Sequence, residues 1–181
     1  MEDQWTIAPY SSVWKELFLQ TGQLLRQALQ EKAIRIDHIG STSVEGLAAK
    51  PIIDIQISVP DYKNLEQYQN EIESAGFMLR PDNPDQSKRY FRELPGHRRT
   101  HVHVRQYGSY SEQLSLLFRD YLRTHPQDCD RYTEEKHKLF RKFYHDRPQY
   151  VEGKGPIVWD ILQKAHLWSQ QTGWQPAPTD V

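Results

Sequence analysis

The chain is poor in the features that mark secreted, membrane-spanning and nucleic-acid-coating proteins. It has one cysteine, Cys129, which excludes an internal disulfide bond. It lacks an apolar run of the roughly 20 residues that a membrane-spanning helix needs. Residues 1–5 are acidic and do not have the basic and then apolar layout of a signal peptide. We therefore expect a cytoplasmic protein that does not contact a membrane.

The chain also carries little net charge, although its charged residues are unevenly distributed. The formal net charge is −1, which argues against a protein that coats DNA. Between Arg80 and Arg105, however, seven Lys or Arg residues stand against three acidic residues. This segment is either a solvated basic strand pair or a wall that faces an anionic ligand, and charge alone does not separate the two. The sequence has no P-loop, dinucleotide fingerprint, zincin motif or cysteine-rich metal motif.

What is present is enough for one soluble domain with a hydrophobic core. The chain has 181 residues, of which 37% are apolar and 26% are charged. Hydrophobic spacing and turn residues predict helices at 12–31, 64–75, 112–124, 128–146 and 155–171, and strands at 34–39, 52–59, 89–94 and 100–106. We predict an α+β fold, with an N-terminal helix and a C-terminal group of helices packed on a small mixed sheet. A helix–sheet part would cover about 7–110, a helical part about 111–172, and 173–181 would be a frayed tail.

A glycine–hydroxyl turn ends the first strand. Gly40 is followed by Ser41, Thr42 and Ser43, and then by a segment, 44–48, that we predict to be a short helix. Glycine lets the backbone turn sharply and approach a ligand closely. Hydroxyl groups and free N–H groups at a helix start form a phosphate site, although the same residues are more often an ordinary helix cap.

The second strand has one apolar and one polar face. Asp54, Gln56 and Ser58 alternate with isoleucines and therefore share a face. On a central strand a polar face of this kind lines a cleft, whereas on a half-exposed strand it simply faces water. His101 and His103 share one face of a later strand, where they are either metal ligands, residues that line a nucleotide pocket, or half-exposed histidines.

The segment 37–55, which contains both the turn and Asp54, resembles the signature of the GrpB (UPF0157-like) family. The resemblance extends to Pro9-Tyr10, 101–104, 118–123 and Lys136, and covers about 7–168. This family is grouped with the nucleotidyltransferase superfamily, so the resemblance implies a nucleotidyltransferase-like fold. It also implies a nucleoside triphosphate as substrate, Mg²⁺ or Mn²⁺ as cofactor, and an unknown acceptor or protein partner.

The resemblance assigns roles to particular residues. Asp54 would be the catalytic carboxylate and first metal ligand, with Gln56, His101 and His103 as further candidate ligands. Gly40 and Ser41 would hold the triphosphate. Thr42, Ser43, Lys50 and Arg89 are further candidate phosphate contacts by their position and chemistry. Arg89 and Arg92 are three residues apart, so only one of them should face the cleft. Lys136 and Lys154 would contact the nucleotide from the helical part, and we expect His38 to fix the turn.

The sequence departs from the superfamily pattern of three carboxylates. Gln56 stands at the second carboxylate position, and the neighbouring strand offers His101 and His103, which suit Zn²⁺ or Mn²⁺ better than Mg²⁺. The leading hypothesis is a nucleotide-binding protein that transfers a nucleotidyl group. One alternative is a non-catalytic adaptor or folding partner linked to coenzyme A synthesis, because GrpB-like domains occur fused to dephospho-coenzyme A kinase. Another is a metal hydrolase that uses Asp54 and the two histidines.

Overall fold

The structure, a computed structural model, describes residues 5–181. Eleven helices and strands follow one another, with short 3₁₀ turns at Gln30–Lys32, Ser41–Ser43 and Leu65–Gln67. In chain order they are α1 (Val13–Leu29), β1 (Arg35–Ile39), β2 (Ile53–Val59), α2 (Gln69–Ser74), β3 (Phe77–Leu79), β4 (Arg89–Glu93), β5 (Thr100–Gln106), α3 (Tyr110–Thr124), α4 (Pro126–Lys142), α5 (Arg147–Gly153) and α6 (Gly155–Thr172). The predicted α+β class is confirmed.

The five strands form one mixed sheet in the order β1-β2-β5-β4-β3. The central pair, β2 and β5, is parallel, and the other pairs are antiparallel. Ile53, Ile55 and Ile57 pack with residues of α1 and α2 in the main hydrophobic core. Since side chains alternate along a strand, Asp54, Gln56 and Ser58 point to the opposite face, which the C-terminal helices cover.

The C-terminal helices have a core of their own. Leu117 and Tyr121 of α3 pack with Tyr132 of α4 and with Ile161 and Ala165 of α6. Helix α3 begins after Ser109, whose side chain accepts a hydrogen bond from the backbone N–H of Glu112 and caps the helix. Within residues 5–181, no helix combines the length and the apolar character that crossing a membrane requires.

The structure differs from the elements predicted from the sequence at three places. The predicted helix at 44–48 is wrong, because Val44 is extended and Gly46 has a φ of 82°. Val44 and Leu47 instead insert into the core of the C-terminal helices, and this tertiary packing determines the local backbone. Strand β3 was not predicted, since its three residues are too few to show a period. Helix α5 was not predicted either, because its seven residues follow Asp146 and carry Pro148 in their first turn.

The tail also differs from the frayed segment that we expected. The backbone N–H of Val181 donates to the carbonyl of Ile36, and Thr179 Oγ1 accepts from the N–H of Ile36 at 2.9 Å. Asp180 Oδ2 accepts from the N–H of His38 at 2.9 Å and from Arg119 Nη1 at 3.0 Å. Strand β1 lies at the edge of the sheet, so its outward N–H and C=O groups need partners, and the tail supplies them. Arg119 is thereby an anchor to the sheet.

Candidate functional site

A carboxylate and two imidazoles meet at one end of the polar face of the sheet. The parallel register of β2 and β5 places Asp54 beside His101 and Gln56 beside His103. Asp54 Oδ1 accepts hydrogen bonds from His101 Nδ1 and from His103 Nε2, each at 3.1 Å. One ligand atom of each of the three residues lies within 4.8 Å of the others. We call Asp54, His101 and His103 the Asp–His cluster.

The charge state of the cluster suits a cation. Burial raises the pKa of Asp54, but the hydrogen bonds from His101 and His103 together lower it by more. The pKa of Asp54 therefore lies well below its usual range. Burial lowers the pKa of His103 to about 4, which leaves this imidazole neutral near pH 7. Two ring nitrogens, His101 Nε2 and His103 Nδ1, are buried without a hydrogen-bond partner among the described residues. An anionic oxygen and a neutral imidazole are the forms that bind metal ions.

The donor set fits one ion better than a pair of Mg²⁺ ions. These two nitrogens could bind an ion if each imidazole carried its proton on the other ring nitrogen. Ligands of a tetrahedral ion at about 2.0–2.1 Å are themselves spaced about 3.3 Å apart, close to the 3.1 Å that joins Asp54 Oδ1 to each histidine nitrogen. Two imidazoles with one carboxylate suit Zn²⁺, Mn²⁺ or Fe²⁺, whereas Mg²⁺ prefers oxygen ligands. The Asp–His cluster could therefore hold a single transition-metal ion.

The structure does not bring Gln56 into this cluster. The side chain is fully buried, and its Oε1 accepts a hydrogen bond from Arg105 Nη1 at 2.6 Å. Its Nε2 donates to the backbone carbonyl of Glu112 at 3.3 Å. The amide oxygen that was expected to bind metal is thus paired with a guanidinium, whose positive charge opposes a cation beside it. Sharing a strand face with Asp54 was not enough to make Gln56 a ligand.

Gly40 is required by the approach of Asp54. Its φ is 71°, a conformation that favours glycine. A Cβ at this position would lie 2.8 Å from Asp54 Oδ2 and 3.1 Å from Asp54 Cβ. The glycine therefore makes room for the carboxylate of the cluster, in addition to allowing the turn. The sequence predicts that this glycine makes room for a ligand, and in the structure the group that approaches it is the side chain of Asp54.

The three hydroxyl groups after Gly40 have different partners. Thr42 Oγ1 donates to the carbonyl of Ile52 and is 3.1 Å from His38 Nε2, so His38 fixes the turn as expected. Ser43 Oγ donates to the carbonyl of Gly40 at 2.6 Å. These two hydroxyls hold the turn together, which favours the structural interpretation for Thr42 and Ser43. Ser41 differs, since its Oγ accepts from Lys136 Nζ at 3.2 Å.

Ser41 and Asp54 open onto a cavity of about 240 Å³ with a basic lining. We call it the basic cavity. Four cationic side chains line it together with Ser41, Thr42, Asp54, His101 and Tyr150, and these cations are Lys50, Lys136, Arg147 and Lys154. The structure thus brings the predicted Lys50 and the two lysines of the helical part to one place. Arg147 was missed, because helix α5 that carries it was not predicted.

The cations of the basic cavity are crowded. Burial, together with the charges of Arg147 and Lys154, lowers the pKa of Lys50 to about 7. Burial and then the charge of Lys154 lower the pKa of Lys136 to about 7. Burial is also the main cause that lowers the pKa of Lys154. A bound anion would stabilise the protonated form of these lysines and so offset the effect of their crowding.

Arg89 lies on the other side of the sheet. It pairs with Val104 of β5, whereas its neighbours Tyr90 and Arg92 pair with His103 and His101. Its guanidinium is 5.7 Å from the ring centre of Tyr62. Alternation predicted that only one of Arg89 and Arg92 faces the cleft, but the register of β4 selects Arg92. The proposed phosphate contact of Arg89 is therefore not with the basic cavity.

Comparisons of sequence and of structure with known proteins identify the same family. A family model described as GrpB protein matches residues 4–164. A UPF0157 protein of Pseudomonas aeruginosa is 37% identical over 168 residues, which are 91% of this chain and 69% of that protein. The crystal structure of conserved protein GrpB from Enterococcus faecalis matches with a TM-score of 0.81 and 32% identity, over 90% of this chain and 99% of that one. A dephospho-CoA kinase of Mycobacterium bovis is 28% identical over 196 residues, covering 94% of this chain and 48% of the kinase.

Proposed function

The chain belongs to the GrpB family, and we propose that it binds a nucleoside triphosphate in the basic cavity together with one divalent metal ion. The observation that carries this proposal is the position of the Asp–His cluster. Asp54 and His101 line the same cavity as the four cationic side chains. A ligand that enters there meets both a metal-binding group and a surplus of positive charge, which is the combination that phosphate oxygens require.

The cavity residues have distinct roles in this proposal. Lys50, Lys154 and Arg147 neutralise phosphate oxygens, and the planar guanidinium of Arg147 can bind two oxygens at once. Lys136 holds the Ser41 hydroxyl at the cavity wall through a hydrogen bond of 3.2 Å. A divalent ion, when bound, would neutralise phosphate charge and polarise the phosphoanhydride. Asp54 and the two histidines would hold that ion at the centre of the sheet.

The finer proposal is nucleotidyl transfer to an acceptor that is still unknown. Resemblance to the nucleotidyltransferase superfamily supports it through the Gly40-Ser41 turn and the Asp54 strand. With Gln56 engaged by Arg105, the chemistry would proceed with one ion at the Asp–His cluster and with the cationic side chains in place of a second. Hydrolysis of a phosphate ester at the same cluster is the competing reaction, and product analysis separates the two.

A thermal shift assay tests the proposed binding. A ligand at about a hundredfold above its dissociation constant adds roughly 2.7 kcal/mol, or a rise in Tm of roughly 5–10 °C for a domain of this size. Nucleoside triphosphates are combined in turn with Mn²⁺, Zn²⁺, Fe²⁺ or Mg²⁺ at millimolar levels. Asp54→Asn should lose the metal-dependent part of the shift, and Arg89→Ala should keep it. Absence of a shift in every combination would count against the proposal.

A second candidate function is that of a non-catalytic partner in coenzyme A synthesis. It is favoured by one observation: relatives named dephospho-CoA kinase contain a segment, about half of their length, that matches nearly all of this chain. Under this proposal the chain binds the kinase of its own cell. Size-exclusion chromatography of the two purified proteins checks for a complex. Asp54→Ala should leave such a complex intact, whereas it should abolish metal-dependent nucleotide binding.

A further inference from the structure

The composition of the basic cavity points to the part of the ligand that is recognised. We infer that the cavity binds a chain of two or three phosphate groups and leaves the nucleoside outside, so that recognition is independent of the base. This inference rests on the proposed function and specifies its substrate class. Inorganic tripolyphosphate and the nucleoside triphosphates would then be equivalent ligands of the cavity.

The charge of the basic cavity favours a chain of phosphate groups. Four cationic side chains converge on the cavity, and Asp54 is the carboxylate among the lining residues. One bound divalent ion would cancel Asp54 and add positive charge. Lys50 and Lys136, whose pKa lies near 7 without a ligand, become fully protonated beside an anion. The resulting excess of several charges matches a triphosphate, which carries about four negative charges, and exceeds what a single phosphate group needs. A cation-rich lining gives no reason to bind an uncharged nucleoside.

The volume of the basic cavity is too small for a whole nucleotide. Pockets that enclose most of a drug-sized ligand have volumes of about 300–1,000 Å³. The basic cavity has a volume of about 240 Å³, below this range. A nucleoside triphosphate is a drug-sized ligand, so the cavity holds only part of it. The charges decide that this part is the phosphate chain, which leaves the sugar and the base at the mouth.

The aromatic side chains at the basic cavity are not arranged to stack on a base. Recognition of a base usually involves stacking on an aromatic ring. Tyr150 is the aromatic side chain in the cavity lining, and Lys50 and Lys154 lie over its ring at 4.4 Å and 5.2 Å from the centroid. Trp5 lies beside it, with Lys50 Nζ at 3.9 Å from the ring centroid and Phe140 packed edge-on at 4.6 Å. Tyr150 is only 2% exposed, so its ring has no free face to offer to a base, and Trp5 lies outside the cavity lining.

Isothermal titration of the full chain tests the inference with preformed Mn²⁺ complexes. The probes are ATP, GTP, CTP, UTP, inorganic tripolyphosphate and, as the ligand without phosphate, adenosine. We expect the dissociation constants of the four nucleotides to agree within about threefold and that of tripolyphosphate to lie within about tenfold of them, a difference of roughly 1.4 kcal/mol. Adenosine should not bind.

Two charge-removing variants and a matched control make the test independent of folding. Arg147→Met and Lys154→Met should each weaken tripolyphosphate and ATP equally, by about tenfold or more, because both lose the same phosphate contact. Lys138→Met removes the same charge from a side chain that is 71% exposed, and should change neither affinity. Circular dichroism and Tm identify any variant that has lost its fold.

The outcomes separate this inference from the proposed function. If one nucleotide binds more than about tenfold better than the others, or if nucleotides bind and tripolyphosphate does not, base-independent recognition is overturned and nucleotide binding stands. Binding of adenosine has the same consequence. If none of the phosphate compounds binds, with or without metal, both proposals fail together.

Discussion

The polar face of β2 has an open end and a closed end, and the two differ although their residues alternate in the same way. At the open end, the side chain of Asp54 is 26% exposed and its hydrogen-bond partners are two histidines whose other ring nitrogens are unpartnered among the described residues. At the closed end, Gln56 is fully buried and both of its amide atoms are hydrogen-bonded. Ser58 Oγ also donates to Glu112 Oε1 at 2.6 Å.

The difference between the ends comes from helix α3. Glu112 lies in the first turn of this helix and reaches down to Ser58, which seals the closed end. The open end lies beyond the helix, against the Gly40 turn and the basic cavity. The period of a strand therefore determines which residues share a face, while the element packed on that face determines which of them remain available for a ligand.

Removal of the carboxylate at the open end should have the largest effect on metal binding. Asp54→Asn should lower the affinity for Mn²⁺ or Zn²⁺ by more than about a hundredfold, because loss of an outer-shell partner alone costs about 10–100-fold. Isothermal titration with the metal alone measures it. The control is Ser58→Ala at the closed end, which should keep the wild-type affinity. Equal losses in the two variants would erase the functional difference between the ends.

The closed end should instead be a determinant of stability. Glu112→Ala leaves Ser58 Oγ and the N–H of Gly108 without their acceptor in a buried place. We expect the free energy of unfolding to fall by about 2–3 kcal/mol, and Tm by roughly 5–10 °C, with metal affinity unchanged. Urea denaturation measures the loss. Glu134→Ala on exposed α4 surface should stay within about 0.5 kcal/mol of the parent.

A pair of glycines tests how the open end is positioned. Gly40 and Gly46 both have positive φ, 71° and 82°, so alanine costs about 1–2 kcal/mol of backbone strain at either site. A methyl group at Gly40 would collide with Asp54, whereas one at Gly46 meets nothing within 4 Å. Gly40→Ala should therefore also weaken metal binding by about tenfold, through the displaced ligand. If titration finds both variants equal in metal affinity, Gly40 serves the turn alone.

Acid should act on the turn that supports the open end. Burial, together with the charges of Arg123 and Arg119, lowers the pKa of His38 to about 3. The unfolded chain binds a proton at this histidine below about pH 6.5, while the folded chain stays neutral there until near pH 3. The free energy of unfolding should thus fall as pH decreases from about 6.5 towards 3, by up to about 1.4 kcal/mol per unit from this group. Urea denaturation of metal-free protein at pH 7, 6 and 5 gives the slope of the free energy of unfolding against pH. This slope should be smaller in His38→Asn, and an unchanged slope would contradict the lowered pKa of His38.

Much of this arrangement was predictable from local sequence. The strand period placed Asp54 and Gln56 on one face, and the Gly40 turn preceded them as expected. The family resemblance named His101 and His103 as candidate ligands beside Asp54, but the strand period alone does not show which of them pairs with Asp54, because this depends on the parallel register of β2 and β5. The same limit applies to Arg89, whose face depends on where β4 pairs with β5. Helix α5 was not predicted, since a seven-residue helix shows too little periodicity. The contribution of Arg147 to the cavity was missed for the same reason.

The docking of residues 179–181 on β1 has a consequence for how this molecule meets copies of itself. An uncovered outer strand presents a row of free N–H and C=O groups and acts as a template for edge-to-edge association. Thr179, Asp180 and Val181 occupy the groups of Ile36 and His38 that would otherwise be offered to another chain. Displacement of this short segment would leave β1 as an unpaired edge strand that can pair with another copy of the chain. The expected result is concentration-dependent aggregation, with the cavity at the centre of the sheet still intact.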